Sequence, residues 1–262
     1  MKSLPLSLTK LIVALLFVGL ILGSASAQEI TVAAAADLSY ALKDLAARFE
    51  QKTGDKVTLS FGSSANLFSQ IQSGAPFDLF FSADEQYPQR LAAGGLMDPA
   101  SLRSYAVGHL VLWMPNATGL DPQNLKMDLL LQPSVKHIAI ANPQHAPYGR
   151  AAMAALEHYG LKNKLASKLV FGENISQAAQ FVQSGNAQAG LIALSLAMSP
   201  AMKEAGKYWE LPFDSYPEVR QTAGIVSSSK RKPAAQAFLS YIISREGAAV
   251  LAQYGFAAPS GK

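Results

Sequence analysis

The sequence predicts an α/β fold in two lobes, on three observations. Short apolar runs alternate with segments whose apolar residues recur at helical spacing, the pattern of mostly parallel sheets covered on both faces. Residues 28–262, which follow an N-terminal leader, are long for one compact domain and comfortable for two small lobes. The chain also carries an internal echo. Phe61-Gly62 precedes Gln72-Ser73-Gly74 and a strand, and Phe171-Gly172 precedes Gln183-Ser184-Gly185 and another strand.

Lys2 and Lys10 form a basic start, residues 11–23 an apolar core too short to span a membrane comfortably, and Ala25-Ser26-Ala27 a small-residue cleavage site. Residues 1–27 therefore read as a cleaved signal peptide, with a retained anchor helix as the alternative. Residues 30–36 predict the first strand. Asp37 is placed as the cap of a helix whose apolar face is Leu38, Ala41, Leu42, Leu45 and Phe49, ended by Gly54-Asp55. A strand over 57–61, a Gly62-Ser63-Ser64 turn, a helix with Leu67, Phe68 and Ile71 inward, and a strand over 77–81 follow. A helix near 85–93 closes at Gly94-Gly95. Further strands are predicted at 109–114, 136–141, 169–171, 190–194 and 222–226. Helices are predicted up to Leu156, from Ile175 to Gly185, and over about 233–253. The lobes are drawn as 28–108, 109–207 and a return to the first lobe over 208–262.

Charged residues are 15% of the chain, which suits a well-buried globule. The net charge of +4 falls to +2 without the leader, and no basic stripe is visible, so nucleic acid is not an expected partner. There is no cysteine: no lipid-attachment site, no disulfide, and stability that must come from core burial.

Four turns stand where ligands bind in open α/β sheets, after a strand and before a helix: Ala36-Asp37, Ser63-Ser64, Pro147-Tyr148-Gly149 and Asn174-Ile175. Helix N-termini carry unpaired N–H groups and a partial positive charge, so each is either a plain cap or part of an anion site. Convergence of two turns from each lobe would surround a small oxyanion without any full positive charge. Ser63 or Ser64 as a hydrolase nucleophile is the alternative of another class, and it lacks a nucleophile-elbow pattern and an evident general base. His109, His137, His145 and His158 show no metal-ligand spacing; His145 lies near the Tyr148 turn, and Arg150 sits in the first turn of its helix.

The chain resembles the periplasmic molybdate-binding proteins of ABC importers. The resemblance rests on Ile30-Thr31-Val32 leading to Ala34-Ala35-Ala36, on Ser60-Phe61-Gly62-Ser63-Ser64 and on Gly74-Ala75-Pro76 through Asp78-Leu79-Phe80 to Ser82-Ala83-Asp84. It extends to Asn142-Pro143, His145, Pro147-Tyr148-Gly149 and Tyr254-Gly255-Phe256, and so covers essentially all of 28–262. It implies a two-lobed, type II periplasmic binding fold. Each lobe would be a mixed sheet flanked by helices, with two crossing strands as hinge and the ligand cleft between the lobes. It further implies a receptor that does no chemistry, has no cofactor, and captures molybdate or tungstate as the oxyanion for an inner-membrane ABC permease. A monomer is expected, as is secretion to the periplasm.

By position, the resemblance puts the oxyanion contacts on Asp37, Ser64, Tyr148, Ile175 and Ala193. Tyr148 and Ile175 would act through backbone N–H, and Ser64 through hydroxyl and N–H. The family often has serine where Asp37 stands and tyrosine where Ala193 stands. An ionised carboxylate about 4 Å from one unit of anionic charge costs roughly 4 kcal/mol at an effective dielectric near 20. Asp37 therefore has three ways out: capping its own helix, which is favoured, holding a proton, or coordinating the metal centre directly as in related archaeal proteins. A different oxyanion in the same fold is the alternative reading that Asp37 and Ala193 leave open, as is a sensor or scaffold without transport.

Overall fold

A computed structural model describes residues 27–259. The expected signal peptide lies outside the described residues except for Ala27. The strands are β1 (Glu29–Ala35), β2 (Lys56–Gly62), β3 (Leu79–Ser82), β4 (Arg103–Gly108), β5 (Leu110–Pro115), β6 (Ile138–Ala141), β7 (Leu169–Gly172), β8 (Ala189–Ala193), β9 (Gly206–Glu210) and β10 (Val219–Ile225). The described helices of eight residues or more are α1 (Ala41–Thr53), α2 (Ser64–Gln72), α3 (Gln86–Ala93), α4 (Pro147–His158), α5 (Ile175–Gln183), α6 (Lys232–Ile242) and α7 (Arg245–Gln253).

Two five-stranded sheets result, in the orders β2-β1-β3-β10-β4 and β7-β6-β8-β5-β9. Each has the same plan. β1 pairs in parallel with β2 and β3, and β6 with β7 and β8; the remaining pairings, through β10 and β5, are antiparallel. The sheets are thus mixed, as the resemblance implied, rather than mostly parallel as the alternation alone suggested. The antiparallel strands are those entering or leaving a lobe, and no helical crossover reverses them. The internal echo has a structural counterpart. β2–α2–β3 and β7–α5–β8 occupy equivalent places, each running from a sheet edge to the third strand.

Alternation along β1 explains how the first sheet is covered. Ile30, Val32 and Ala34 face α1 and α6, with Leu42, Leu45, Phe49, Phe81 and Phe238, while Ala33 faces the cluster of Leu67, Ile71, Phe80 and Leu91. Leu42, Leu45, Leu79 and Phe81 are fully buried, each worth roughly 1.5–3 kcal/mol. α1 stops at Gly54, whose φ of 79° is the left-handed cap conformation glycine adopts without strain.

Some expectations are corrected. Residues 36–38 form a separate 3-10 turn before α1, and Asp37 makes no cap hydrogen bond. The C-terminal helix is two helices, because Ser244 accepts from Gly247 N–H and starts α7 afresh. β4 and β9 were not anticipated, their alternation being partly polar. β9 pairs with β5, so the second sheet extends past residue 207. Leu194 opens a short helix instead of ending β8.

Only His109 separates β4 of the first sheet from β5 of the second. The return path runs between Glu210 and Val219. These two connections are the crossings the resemblance implied.

Candidate anion-binding cleft

All four turns singled out in the sequence meet in one narrow cleft between the sheets, with a cavity volume of about 10 Å³. Ala36 and Asp37 follow β1, and Ser63 and Ser64 follow β2; Pro147 and Tyr148 open α4, and Asn174 and Ile175 open α5. Each helix begins there for a local reason. Ser63 is the N-cap of α2, its Oγ accepting from Asn66 N–H at 3.4 Å, and Asn174 caps α5, its Oδ1 accepting from Gln177 N–H at 3.1 Å. Pro147 sits at the first position of α4, where its missing N–H costs nothing. Ser64, Tyr148 and Ile175 line the cleft, and their first-turn N–H groups have no intrahelical acceptor.

The two serines divide their work. Ser63 caps, while Ser64 is 1% exposed and its Oγ accepts from Ala83 N–H at 3.0 Å. With an acceptor position so filled, the Ser64 hydroxyl proton is free to be donated into the cleft.

Asp37 is buried, and its carboxylate does not cap a helix. Oδ2 accepts from Tyr148 Oη at 3.0 Å and from Gln221 Nε2; Oδ1 is buried and accepts no hydrogen bond among the described residues. Burial pushes the Asp37 carboxyl up from 3.8 to about 6, against the opposing pull of the Gln221 and Tyr148 hydrogen bonds and of the backbone N–H groups of Asp37 and Leu38. Tyr105 extends the network, its Oη donating to Gln221 Oε1 at 2.6 Å. Burial, reinforced by the Asp37 charge, holds both the Tyr148 and the Tyr105 phenol well above the usual range.

This network passes beside the crossing. A Cβ on Gly108 would lie 2.0 Å from Tyr148 Oη and 3.0 Å from Gln221 Nε2, so only glycine lets the tyrosine pass. The Tyr148 side chain therefore does more than was expected of it, linking α4 in one lobe to Asp37 in the other.

Further bonds close the lobes on each other. Ser176 Oγ donates to Ala36 O at 2.9 Å, Ser195 Oγ to Asp37 O at 2.8 Å, Ala65 N–H to His145 O at 3.2 Å, and Asn66 Nδ2 to Glu173 Oε1 at 3.0 Å. Arg150 forms an ion pair with Asp84 across the cleft and is not among the residues lining it. His145 contributes its carbonyl; its ring meets Asn142. Ala193 ends β8 opposite Leu110, fully buried and outside the lining. Among the described residues, no group of three or more His, Cys, Asp or Glu is placed to hold a metal ion.

The sequence reading missed Gln221, Tyr105, Ser176, Ser195 and Gly108. Gln221 carried no clear signal, standing between Arg220 and Thr222 at the edge of the strand predicted over 222–226.

Residues 30–257 match the profile of a family described as bacterial extracellular solute-binding protein. The molybdate-binding protein ModA of Azotobacter vinelandii is 42% identical over 250 residues, covering 95% of this chain and 98% of that one. ModA of Rhodobacter capsulatus is 37% identical over 232 residues, covering 88% and 89%. The solved periplasmic molybdate-binding protein of Azotobacter vinelandii superposes with a TM-score of 0.82 at 36% identity, over 88% of this chain and all of that one. With its match spanning both sheets and every turn of the cleft, the chain belongs to the bacterial extracellular solute-binding protein family.

Proposed function

We propose that this protein is a receptor, not an enzyme, that captures molybdate on the outer side of the inner membrane and passes it to an ABC permease. The observation that carries this reading is the convergence of four strand-to-helix turns, two from each lobe, on one narrow cleft. Relatives at 42% and 37% identity bear the name molybdate-binding protein, which supports the same ligand. The N–H groups of Ser64, Tyr148 and Ile175 and the hydroxyl of Ser64 donate to the anion's oxygens. Dipoles at the N-termini of α2, α4 and α5 favour its charge without a counter-cation. Asp37 contributes its backbone and the carboxylate oxygen that has no partner.

Tungstate, of like shape and charge, is expected to bind as molybdate does, and smaller sulfate to be rejected by fit. The protein acts as a monomer, and the leader directs it to the periplasm. Among the described residues no helix is long and apolar enough to cross a membrane.

Calorimetric titration with molybdate, tungstate, sulfate and phosphate tests the reading. Tight binding confined to molybdate and tungstate is expected. Failure to bind molybdate, or equal binding of phosphate, would overturn it.

A further inference from the structure

We propose that capture of the anion takes up one proton, held on Asp37 Oδ1, so that the acid donates a hydrogen bond to the ligand instead of repelling it. The inference rests on the molybdate reading above and specifies how a carboxylate is tolerated in an anion site.

The geometry assigns the proton to one atom. Oδ2 already accepts from two donors, Tyr148 Oη and Gln221 Nε2, and is saturated as an acceptor. Oδ1 is buried and unpartnered in a residue that lines the cleft. An unpaired buried carboxylate oxygen is costly, and a proton turns it into a donor facing an acceptor.

Among the described residues, no cation compensates. The elements packed on the 36–38 turn are α1, β2, α5 and the short helix Leu194–Ala197. The last two carry no ionisable residue. On α1, Asp44 and Arg48 pair with each other, Lys52 with Glu246, Glu50 with Lys56 of β2, and Lys43 lies over the Phe61 ring. From the elements that reach the carboxyl itself, Tyr148 and Tyr105 present neutral phenols. Arg150 of α4 is paired with Asp84, Arg220 of β10 with Glu218, and Arg103 of β4 with the carbonyls of Ala100 and Leu102. Nearby His145 is bonded to Asn142.

Burial brings the carboxyl to about 6, and a dianion beside it raises it further. The sign follows. Below about pH 6 the acid is already protonated and affinity is flat. Above it, each capture takes a proton from solution, and affinity falls about tenfold per pH unit until the ligand-bound carboxyl itself titrates. In the Asp37→Asn variant, the amide would present an N–H donor at every pH.

The experiment is calorimetric titration of the protein with sodium molybdate near pH 6, 7 and 8, each in two buffers of different ionisation enthalpy, for wild type and Asp37→Asn. Expected for wild type is an uptake of about one proton per molybdate at pH 8, falling toward zero below pH 6, with Kd rising about tenfold per unit between. Expected for Asp37→Asn is binding without uptake or slope, tighter than wild type at pH 8. Wild-type binding with no proton uptake at pH 8, or equal uptake in Asp37→Asn, refutes the inference and leaves the receptor reading standing. No binding of molybdate to wild type at any pH refutes the receptor reading instead. Tyr148→Phe supplies a second variant. It keeps the backbone N–H and removes one donor to Oδ2, so the onset of the pH slope should move upward; an unmoved onset counts against Asp37 as the proton carrier.

Discussion

Replacing Ser64 by alanine removes one oxygen with two roles, and the structure gives a magnitude for each. In the free protein, Ser64 Oγ accepts from Ala83 N–H at 3.0 Å in a buried setting. The variant leaves that N–H without its acceptor, at a cost of about 1–3 kcal/mol in stability. In the complex, the same hydroxyl donates to an anionic oxygen, and hydrogen bonds to charged groups contribute about 1.5–3 kcal/mol. At about 1.4 kcal/mol per factor of ten, affinity for molybdate should fall about 10- to 150-fold. Denaturant unfolding without ligand measures the first term and calorimetric titration the second. The N–H groups of α2 are untouched, so binding should weaken and not vanish. A variant that loses stability while keeping wild-type affinity would show that Ser64 only braces Ala83. One unchanged in both would refute the site geometry.

Three further outcomes follow. Asp37 has a folded-state pKa raised from 3.8 to about 6, so its contribution to stability is fully present below about 3.8 and is lost as pH rises through about 6. The unfolding free energy of Asp37→Asn relative to wild type should thus gain about 2 kcal/mol between pH 4 and pH 8, read by chemical denaturation; a constant difference would contradict the buried carboxyl. Gly108→Ala forces Tyr148 off its path, since the new Cβ would lie 2.0 Å from Oη. It should cost about 1–3 kcal/mol in thermal unfolding and break the Tyr148–Asp37 bond, as a crystal structure would reveal. Arg150→Ala removes the partly exposed ion pair to Asp84, and should speed molybdate release by no more than about fivefold, less at high salt, in stopped-flow measurements.

The alternation of strands and helices, the four strand-to-helix turns and the kind of ligand they suit are legible in the residues alone. These depend on local chemistry: β-branched and aromatic runs, Ser63 and Asn174 as caps, Pro147 at a helix start, glycines at helix ends. The sequence also held the echo between β2–α2–β3 and β7–α5–β8, because equivalent substructures need equivalent punctuation. Local signals were weaker for β4 and β9, whose half-exposed strands mix polar with apolar residues. The role of Asp37 is set by long-range packing. Read locally, an Asp between a strand and a helix is a cap. In the fold, a tyrosine 111 residues away and a glutamine 184 residues away donate to its carboxylate instead. Such partners are chosen by where two sheets and their crossing place them, and Gly108, which lets Tyr148 through, explains itself only once that crossing is built.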